Sequence, residues 1–332
     1  MKRKTEPPAA GGIIDLTGDS PSPKRSAVDR NLPPTSRSTN KRQPVEEVTS
    51  VTLATYNIWF GPHSGPLHDE ERMNSIVAEL LQRSPSLIGL QEVTPDLAAI
   101  LCPLLESAGY QVVLQDTRGI GYGCAVAAKA DEVIASGFHP YEDTSMGRGI
   151  VWCLVRIQSK EVLFTTTHLE SFIKGGSYDG VSQRSNQARQ LAEFCQECLE
   201  QRPSTMMAVI TGDLNWDDQR VRGGGIDAPL LGTIDKKRWL DVWQIAHPRD
   251  AGYTYDGKES PMLRGNLRRR FDRCLIHSRN AVSVESALMI GKDAIPNLTW
   301  TKPPHPMARS QKPTTVPVTP SDHFGLVATV KV

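Results

Sequence analysis

The chain has 332 residues, of which 39% are hydrophobic and 23% charged, and its net charge is +1. This apolar content suffices for a sizeable core, and 24 prolines with 26 glycines exclude an all-helical bundle. No run approaches the ~18 consecutive apolar residues of a membrane span, and no apolar segment follows the basic N-terminal residues, so we expect neither a span nor a secretory signal. The six scattered cysteines indicate reduced thiols of an intracellular protein.

Charge and aromatic content divide the chain unequally. Residues 1–50 contain nine Lys or Arg against six Asp or Glu, whereas the remainder contains 29 against 31. The same 50 residues include seven prolines, and the first aromatic residue is Tyr56. Such a segment cannot bury enough apolar surface to offset its ordering entropy. We therefore predict a disordered arm over residues 1–48 and one folded domain over residues 49–332.

Three short basic clusters punctuate the arm, at residues 2–4, 24–25 and 41–42. Their proline neighbours make them similar to nuclear-import signals, which predicts a nuclear protein, with the cytoplasm also open. A solvated basic tail accounts for the same clusters.

An aliphatic run interrupts the polar arm and consists of Ile13, Ile14, Asp15 and Leu16. Its β-branched residues favour an extended strand, which could add to a sheet edge while the aliphatic side chains enter a groove. The run resembles a SUMO-interacting motif, and this resemblance implies SUMO or sumoylated proteins as partners. The alternative is a chance aliphatic cluster.

Strand-like apolar runs bounded by turn residues recur along the predicted domain. Two helices stand out between them, over residues 69–82 and 182–200, because apolar residues recur there at helical spacing. In the second helix Cys195 and Cys198 read as core thiols rather than zinc ligands. Strands and helices without strict alternation predict an α+β fold with two mixed sheets packed face to face and helices outside. The predicted strands cover 51–58, 87–90, 121–128, 151–157, 162–167, 207–210, 273–276 and 324–332.

Polar groups stand at one end of six of these strands. A carboxylate or imidazole buried at a strand end is costly unless it is paired or bound to a cation. If the strands converge, their ends form a cleft rich in oxygen ligands, which favours Mg²⁺, or Mn²⁺, over zinc. Taken singly, each group is equally well a turn residue, a helix cap or a satisfied core residue. The groups are Asn57, Glu92, His168, Asp213 with Asn215, Asp272, and Asp322 with His323.

The local contexts of these groups resemble, in order, the endonuclease/exonuclease/phosphatase family. The resemblance runs from about residue 51 to 332 and implies a deoxyribonuclease I-like four-layer sandwich. Within the family, the chain looks most like the 5′-tyrosyl-DNA phosphodiesterases, which remove a tyrosine that topoisomerase II leaves on a DNA 5′ end. Such an enzyme leaves a 5′-phosphate for double-strand-break repair. The motifs are Thr55–Asn57, Leu90–Val93, Thr167–Ser171, Gly212–Asn215, Phe271–Arg273 and Ser321–His323.

The resemblance also implies roles at these positions. Glu92 would be the principal metal ligand, supported by Asn57 and Asp322. Asp213 would orient and activate the attacking water. Asp272 would orient His323, which would stabilise the transition-state charge. The donors to phosphate oxygens would be Asn215, His168 and Ser171.

Aromatic and apolar side chains fall where the family contacts the DNA end. Stacking and apolar walls commonly hold single-stranded ends, although such residues are also common in cores. Trp216 replaces an arginine that relatives often carry, which predicts an end site based more on stacking than on charge. Arginines between residues 264 and 273 either track phosphates or form a solvated loop. The predicted DNA contacts are Tyr122, Tyr255, Leu263, Phe271 and Trp216.

Two alternatives to this function stay open. The same fold could act on another nucleic-acid phosphodiester, such as abasic DNA or protein-linked RNA. A SUMO-dependent adaptor without catalysis is disfavoured, because all six strand-end groups are present. We expect a monomer that does not bind membranes.

Overall fold

The computed structural model describes residues 50–62, 67–171, 180–216, 221–222, 225–226, 230–235, 238–304 and 312–332. The predicted arm, with its basic clusters and its aliphatic motif, lies outside these residues. The described elements belong to one compact unit, Val48–Val332. No helix in the described ranges is both long and apolar enough to span a membrane.

Strands dominate the described part of the chain, and helices separate several of them. In chain order the elements are β1 (Ser50–Asn57), α1 (Asp69–Arg83), β2 (Leu87–Val93), α2 (Pro95–Ser107), β3 (Gln111–Leu114), β4 (Gly123–Ala128), β5 (Glu132–Pro140), β6 (Gly149–Ile157), β7 (Lys160–His168), α3 (Val181–Gln201), β8 (Thr205–Asp213), β9 (Val221–Arg222), β10 (Gly225–Ile226), α4 (Leu230–Ile234), β11 (Leu240–Asp241), α5 (Val242–Ala246), β12 (Tyr255–Asp256), β13 (Arg268–Arg269), β14 (Asp272–Ser278), β15 (Ser283–Ile290), β16 (Thr299–Lys302), β17 (Thr314–Pro317) and β18 (Gly325–Lys331).

Two mixed six-stranded sheets form the body of the domain. The first sheet has the strand order β15-β18-β1-β2-β4-β3, and the second has the order β11-β14-β8-β7-β6-β5. Each contains one parallel pair at its centre, β1 with β2 and β7 with β8. Because parallel neighbours end at the same edge of a sheet, each pair delivers two strand ends side by side.

The two sheets pack face to face through an apolar core. Residues such as Leu53 and Val126 of the first sheet and Phe164 and Val209 of the second belong to this one core. Both faces of the central strands are buried, which explains why they read as continuous apolar runs rather than alternating ones.

Helices cover the outer face of each sheet. Apolar residues of α1 and α2 pack on β1 and β2 of the first sheet. Those of α3, including the fully buried Cys195, pack on the second sheet, with Cys198 partly buried beside them. The layers therefore run helix, sheet, sheet, helix, which confirms the predicted fold class.

The sequence interpretation missed four strands of the two main sheets and the helices α2, α4 and α5. Helix α2 carries Pro103 inside it, and its start is marked by Thr94, whose hydroxyl accepts a hydrogen bond from the Leu97 N–H at 3.2 Å. The four missed strands, β3, β5, β11 and β15, lie at sheet edges and have mixed exposure. Their sequences therefore lack the continuous apolar run that identifies a central strand.

Candidate active site

The predicted polar groups converge where the ends of both sheets meet. In the second sheet, His168 ends β7, Asp213 ends β8 and Asp272 begins β14, and the strand register pairs Asp213 with both of the others. In the first sheet, Asn57 ends β1 and Glu92 lies near the end of β2. The antiparallel strand β18 brings in Asp322 and His323 just before its start.

Asn57 joins the two sheets across the site. Its side-chain amide Nδ2 donates to Glu92 Oε1 at 3.1 Å and to Asp213 Oδ2 at 3.0 Å. Its Oδ1 accepts from the Trp59 N–H at 3.0 Å, and the Phe60 N–H donates to the other Glu92 oxygen at 3.2 Å. Asn57 is fully buried, so one amide sets the separation of two carboxylates.

Left-handed backbone occurs at several site residues. Glu92 has φ of 62° at a bulge in the β2–β4 register, and Asn215 has φ of 48°. Such conformations cost on the order of 1–3 kcal/mol each and persist only where the surroundings hold them. A bulge re-aims a side chain that the strand's alternation would place elsewhere. Gly212 has φ of 132°, and an added Cβ would lie 1.9 Å from the Thr167 carbonyl oxygen, so only glycine fits before Asp213.

Asp213 lies at the centre of the site, with 2% of its surface exposed. Its Oδ1 accepts from the Asn215 N–H at 2.9 Å. Its Oδ2, besides accepting from Asn57, lies 3.4 Å from His168 Nε2 and 3.8 Å from His323 Nε2. Both oxygens are thus oriented by donors of the protein, while the carboxylate stands between two imidazoles.

His323 and Asp272 form a buried pair. His323 Nδ1 lies 2.8 Å from Asp272 Oδ2, and the Thr254 hydroxyl accepts from the Asp272 N–H at 3.1 Å. Burial disfavours the charged ring, yet the carboxylates of Asp272, Asp213 and Asp322 outweigh it and raise the His323 pKa well above its ordinary value. These carboxylates therefore favour the charged form of His323, whose Nε2 lies 3.8 Å from Asp213 Oδ2.

His168 has the opposite character. Burial, with the nearby Arg148 guanidinium, lowers the His168 pKa to about 3. Its Nδ1 is buried and has no hydrogen-bond partner among the described residues. The site therefore contains one neutral and one charged imidazole on either side of one carboxylate.

For the carboxylates of Glu92 and Asp322, burial outweighs the lowering effect on their pKa values of the His323 charge and, for Asp322, of the Arg72 charge. Burial and the neighbouring Asp322 raise the Glu92 pKa to about 7, against the lowering effect of its hydrogen bond from Asn57. Burial also raises the Asp322 pKa, and Asp322 Oδ1 is buried without a partner among the described residues. No Lys or Arg in the described ranges forms an ion pair with either side chain. This carboxylate excess fits a divalent cation.

A second grouping has metal-compatible chemistry. One ligand atom from each of Asp213, Asp272 and His323 lies within 4.8 Å of the others, and all three residues are buried. In this group Asp272 Oδ2 holds His323 Nδ1, whereas Asp272 Oδ1 is buried without a partner among the described residues. The cluster as a whole is compatible with a divalent metal.

Aromatic side chains line the site where the sequence predicts DNA contacts. The Tyr255 ring lies 5.7 Å from that of Phe271 and 5.1 Å from that of His323. A second aromatic wall is formed by Tyr122, whose ring lies 5.0 Å from that of Phe60, and the Phe60 N–H donates to Glu92 Oε2. One aromatic wall therefore lies beside His323 and the other beside Glu92.

The remaining predicted contacts are placed less uniformly. Ser171 lies at the end of the described β7 segment, where its hydroxyl is 3.2 Å from Met146 Sδ. Leu263 has 9% of its surface exposed, and its carbonyl accepts from Lys302 Nζ at 3.0 Å. Trp216 differs from the expectation of a stacking platform, because it is 4% exposed and packs in the core beneath α3 and α4.

The arginines between residues 264 and 273 also differ among themselves. Arg270 Nη1 donates to both oxygens of buried Asp241 at 2.8 and 2.9 Å, and Arg273 reaches the same carboxylate at 3.2 Å. Arg268 holds Asp256 at 2.7 Å. These three guanidiniums therefore form ion pairs within the protein, so this part of the chain is not a freely solvated loop.

Three further residues of the site were not predicted to have a role, although Ser321 stands in the motif Ser321–His323. Arg148 is 5% exposed, and its guanidinium lies 5.1 Å from the centre of the Tyr122 ring. The hydroxyl of Ser321 donates to the Asn57 carbonyl at 2.7 Å, which ties the β18 approach to the end of β1. Arg72 of α1 is fully buried and donates to the carbonyls of Ile58 and Trp59 at 2.6 Å each.

Comparison with known proteins agrees with the family that the site motifs indicate. The model of the Endonuclease/Exonuclease/phosphatase family matches residues 54–323. Bos taurus tyrosyl-DNA phosphodiesterase 2 is 28% identical over 269 residues, which span 79% of this chain and 65% of that protein. The Rattus norvegicus protein of the same name is 25% identical and covers 100% of this chain and 79% of its own length.

Two solved structures share the fold. Truncated Caenorhabditis elegans TDP2 superposes with a TM-score of 0.64 at 20% identity, covering 85% of this chain and 98% of that one. D. rerio TDP2 complexed with a single-strand DNA product gives 0.65 at 18% identity, covering 86% and 100%. The predicted resemblance is thus confirmed, and with more than half of its length matched by the family model, the chain belongs to the endonuclease/exonuclease/phosphatase family.

Proposed function

We propose that this protein is a Mg²⁺-dependent phosphodiesterase that hydrolyses the 5′-phosphotyrosyl bond between DNA and a trapped topoisomerase II. The observation that carries the proposal is the meeting of Asn57, Glu92, Asp213 and His323 at one edge of two sheets, in a chain similar to proteins named tyrosyl-DNA phosphodiesterase 2. The product would be a 5′-phosphate that repair enzymes can ligate.

The metal would be held on the side of the site that is rich in unpaired carboxylates. Glu92, Asn57 and Asp322 would hold Mg²⁺, with Mn²⁺ able to replace it, because hard oxygen ligands suit both ions. The bound ion would polarise a phosphoryl oxygen as a Lewis acid.

Asp213 would act on the attacking water. Its Oδ1 is held by the Asn215 N–H and its Oδ2 by Asn57, so the carboxylate is already oriented. The water oxygen forms the new bond to phosphorus, its proton passes to Asp213, and the bond between phosphorus and the tyrosine oxygen breaks. A carboxylate placed in this way contributes by general base catalysis.

The imidazoles and amides would stabilise the charge that develops on the phosphoryl group. His323, charged and held by Asp272, would offer its Nε2–H to the developing negative charge. Neutral His168 and the side chains of Asn215 and Ser171 would donate to phosphoryl oxygens. The tyrosine phenolate is the leaving group and is neutralised by protonation as it departs.

The DNA end would lie between the two aromatic walls. Tyr255 and Phe271 would contact the first nucleotide on one side, and Tyr122 the scissile end on the other, with Leu263 extending the apolar wall. Stacking on aromatic rings stabilises bound nucleotides by about 1–3 kcal/mol per base. Trp216 has no direct part in this contact, because its ring is in the core.

The arm would recruit the enzyme rather than act on the bond. We propose that Ile13, Ile14, Asp15 and Leu16 bind SUMO and that the basic clusters direct the protein to the nucleus. In the full chain, a double change of Ile13→Ala and Ile14→Ala should abolish capture on immobilised SUMO and leave cleavage of a free oligonucleotide unchanged. Equal capture of the parent and variant chains would refute this role.

The direct test is tyrosine release from a 5′-phosphotyrosyl oligonucleotide. Release should require Mg²⁺, stop in EDTA, and be lost in Asp213→Asn, while a 3′-tyrosyl oligonucleotide stays intact. Absence of release by a folded protein that binds Mg²⁺ would reject the substrate. Abasic DNA and protein-linked RNA are then the next phosphodiesters to assay.

A further inference from the structure

A buried lysine without an acidic partner lies outside the catalytic groups. Lys302, at the end of β16, has 7% of its surface exposed. Its Nζ donates to the carbonyls of Pro261 at 2.9 Å and Leu263 at 3.0 Å. No carboxylate in the described ranges pairs with it. Two neutral carbonyls leave the charge of a buried ammonium uncompensated, which is costly unless an anion is supplied.

A second cation stands beside Lys302. Arg264 is exposed, donates to the carbonyl of Pro303, and forms no ion pair with an acidic residue of the described segments. The arginines that follow it are different, because Arg268 and Arg270 are held by Asp256 and Asp241. The loop therefore pairs its later arginines internally and leaves the positive charge of Arg264 next to that of Lys302.

These two cations line one open cleft. It has a volume of about 480 Å³ and is lined by Leu263, Arg264, Gly265, Lys302 and Thr314. Thr314 of β17 lies directly across from Lys302 in the strand register and adds a hydroxyl to this wall. Burial and Arg264 together lower the Lys302 pKa, as expected where positive charge has no counter-ion.

The cleft adjoins the wall that would hold the DNA end. Backbone hydrogen bonds connect Leu263 to Ser260 and Ser260 to Asp256, the residue after Tyr255. Met262, the residue before Leu263, packs in a cluster with Trp59 and Trp300, so both the loop and the β16–β17 hairpin are anchored to the segment that follows Asn57.

We propose that this cleft, here called the Lys302 cleft, binds a backbone phosphate of the DNA strand beyond its first nucleotide. The ammonium and guanidinium groups would contact the phosphate oxygens, and Leu263 would contact the adjoining sugar. The inference rests on the proposed function, since it deepens the description of the same substrate. It predicts that the charges of Lys302 and Arg264 lower KM for a long strand and do not affect KM for a single nucleotide.

The test compares substrates of two lengths. Lys302→Met and Arg264→Gln are assayed on a 5′-tyrosyl oligonucleotide of about 20 nucleotides and on the p-nitrophenyl ester of thymidine 5′-phosphate. Each variant should raise KM for the long substrate by about 10-fold, as for loss of one charge-assisted contact. Each should reduce the dependence of log KM on log salt by about 0.7. KM and kcat for the mononucleotide ester should not change.

Lys129→Met is the matched control. Lys129 likewise donates to a backbone carbonyl, that of Ala108 at 2.9 Å, but it is exposed and follows β4 at the end of the strand away from the site. Lys129→Met removes the same charge and should leave KM and kcat unchanged for both substrates. Arg264→Gln, at an exposed position, keeps the test valid if Lys302→Met does not fold.

Several outcomes would overturn the proposal. Equal losses on both substrates would make the two residues structural supports, and an unchanged salt dependence on the long substrate would remove the phosphate contact. Inhibition of the turnover of both substrates by millimolar inorganic phosphate, lost equally in the variants, would indicate a site for free anions instead.

If the parent cleaves neither substrate, the proposed function fails. The cleft is then tested by fluorescence anisotropy of an unmodified oligonucleotide, which Lys302→Met should weaken and Lys129→Met should not.

Discussion

The two sheets supply the active site with the same kinds of residue but with opposite charge balance. From the second sheet come Asp213 and Asp272, which here form the paired side, because Asp213 lies between two imidazoles and accepts from the Asn215 N–H, and Asp272 is paired with His323. From the first sheet come Glu92 and Asp322, the unpaired side, where neither carboxylate forms an ion pair with a Lys or Arg of the described residues. The paired side therefore has His323 as a counter-charge within the protein, whereas the unpaired side is compatible with a bound cation.

Two residues cross between the sides and make them one site. Asn57 from the first sheet donates to a carboxylate on each side, and His323 reaches from the β18 approach to Asp272. Residue type alone therefore does not assign a role here. An aspartate between two imidazoles is suited to handle a proton, whereas a glutamate beside a second unpaired carboxylate is suited to hold a metal.

The largest effect is expected from Asp213→Asn on the paired side. The amide keeps the shape but cannot accept the proton of water, so kcat should fall by on the order of 10⁴-fold. Tyrosine release measured in single turnovers reports this loss, and the urea midpoint should change little. A residual rate within tenfold of the parent would mean that another group is the base.

On the unpaired side, Glu92→Gln should reduce kcat by about 10³-fold, since a bound metal contributes several kcal/mol at ~1.4 kcal/mol per factor of ten. The Mg²⁺ concentration for half-maximal rate should also rise. Glu285→Gln is the control, because that exposed glutamate pairs with Lys331 at the far end of β18. An unaltered Mg²⁺ titration in Glu92→Gln would instead assign the metal to the group formed by Asp213, Asp272 and His323.

Asp272→Asn tests the contact that spans both sides. His323 would lose the carboxylate that orients its ring and favours its charged form, so kcat should fall by about 10²-fold. The half-saturating Mg²⁺ concentration should stay as in the parent, because Asp272 acts through His323 and not on the metal. A large shift in that concentration would contradict the division into two sides.

The smallest effect is expected from Arg72→Lys, which tests the scaffold behind the unpaired side. The Arg72 guanidinium holds the carbonyls of Ile58, Trp59 and Pro320 at once, and lysine cannot reach all three. Groups that orient metal ligands typically change metal affinity by about 10–100-fold, so the Mg²⁺ requirement should rise by about 10-fold with little change in kcat at saturation. A drop in kcat without a rise in the Mg²⁺ requirement would show that the segment held by Arg72 affects the chemical step rather than metal binding.

Much of the fold and the site could be predicted from local patterns. The central strands are buried on both faces, so β1, β6 and β7 appear as apolar runs, and α1 and α3 appear through their helical spacing. The strand-end groups were visible because a polar residue that closes an apolar run is unusual. Edge strands such as β5 were not predicted, because a half-exposed strand has no continuous apolar run that distinguishes it from its flanking residues.

The failures concern residues whose environment is made by distant parts of the chain. Trp216 follows a site motif and reads as a stacking surface, yet α3 and α4 cover it. Arg270 reads as a phosphate contact, yet Asp241, 29 residues earlier, holds it in a buried pair. Whether an aromatic ring or a guanidinium faces solvent depends on packing, which no local pattern encodes.

The residues at the ends of the buried strands follow from the order of the amino acids, because a buried strand is an apolar run and a polar group closes it. The division of those ends into a paired and an unpaired side arises from the folded structure alone. That division depends on the bulge that re-aims Glu92, on the amide of Asn57 between two carboxylates, and on the 2.8 Å approach of His323 to Asp272. Electrostatic energy varies with distance and burial, and both are properties of the folded chain.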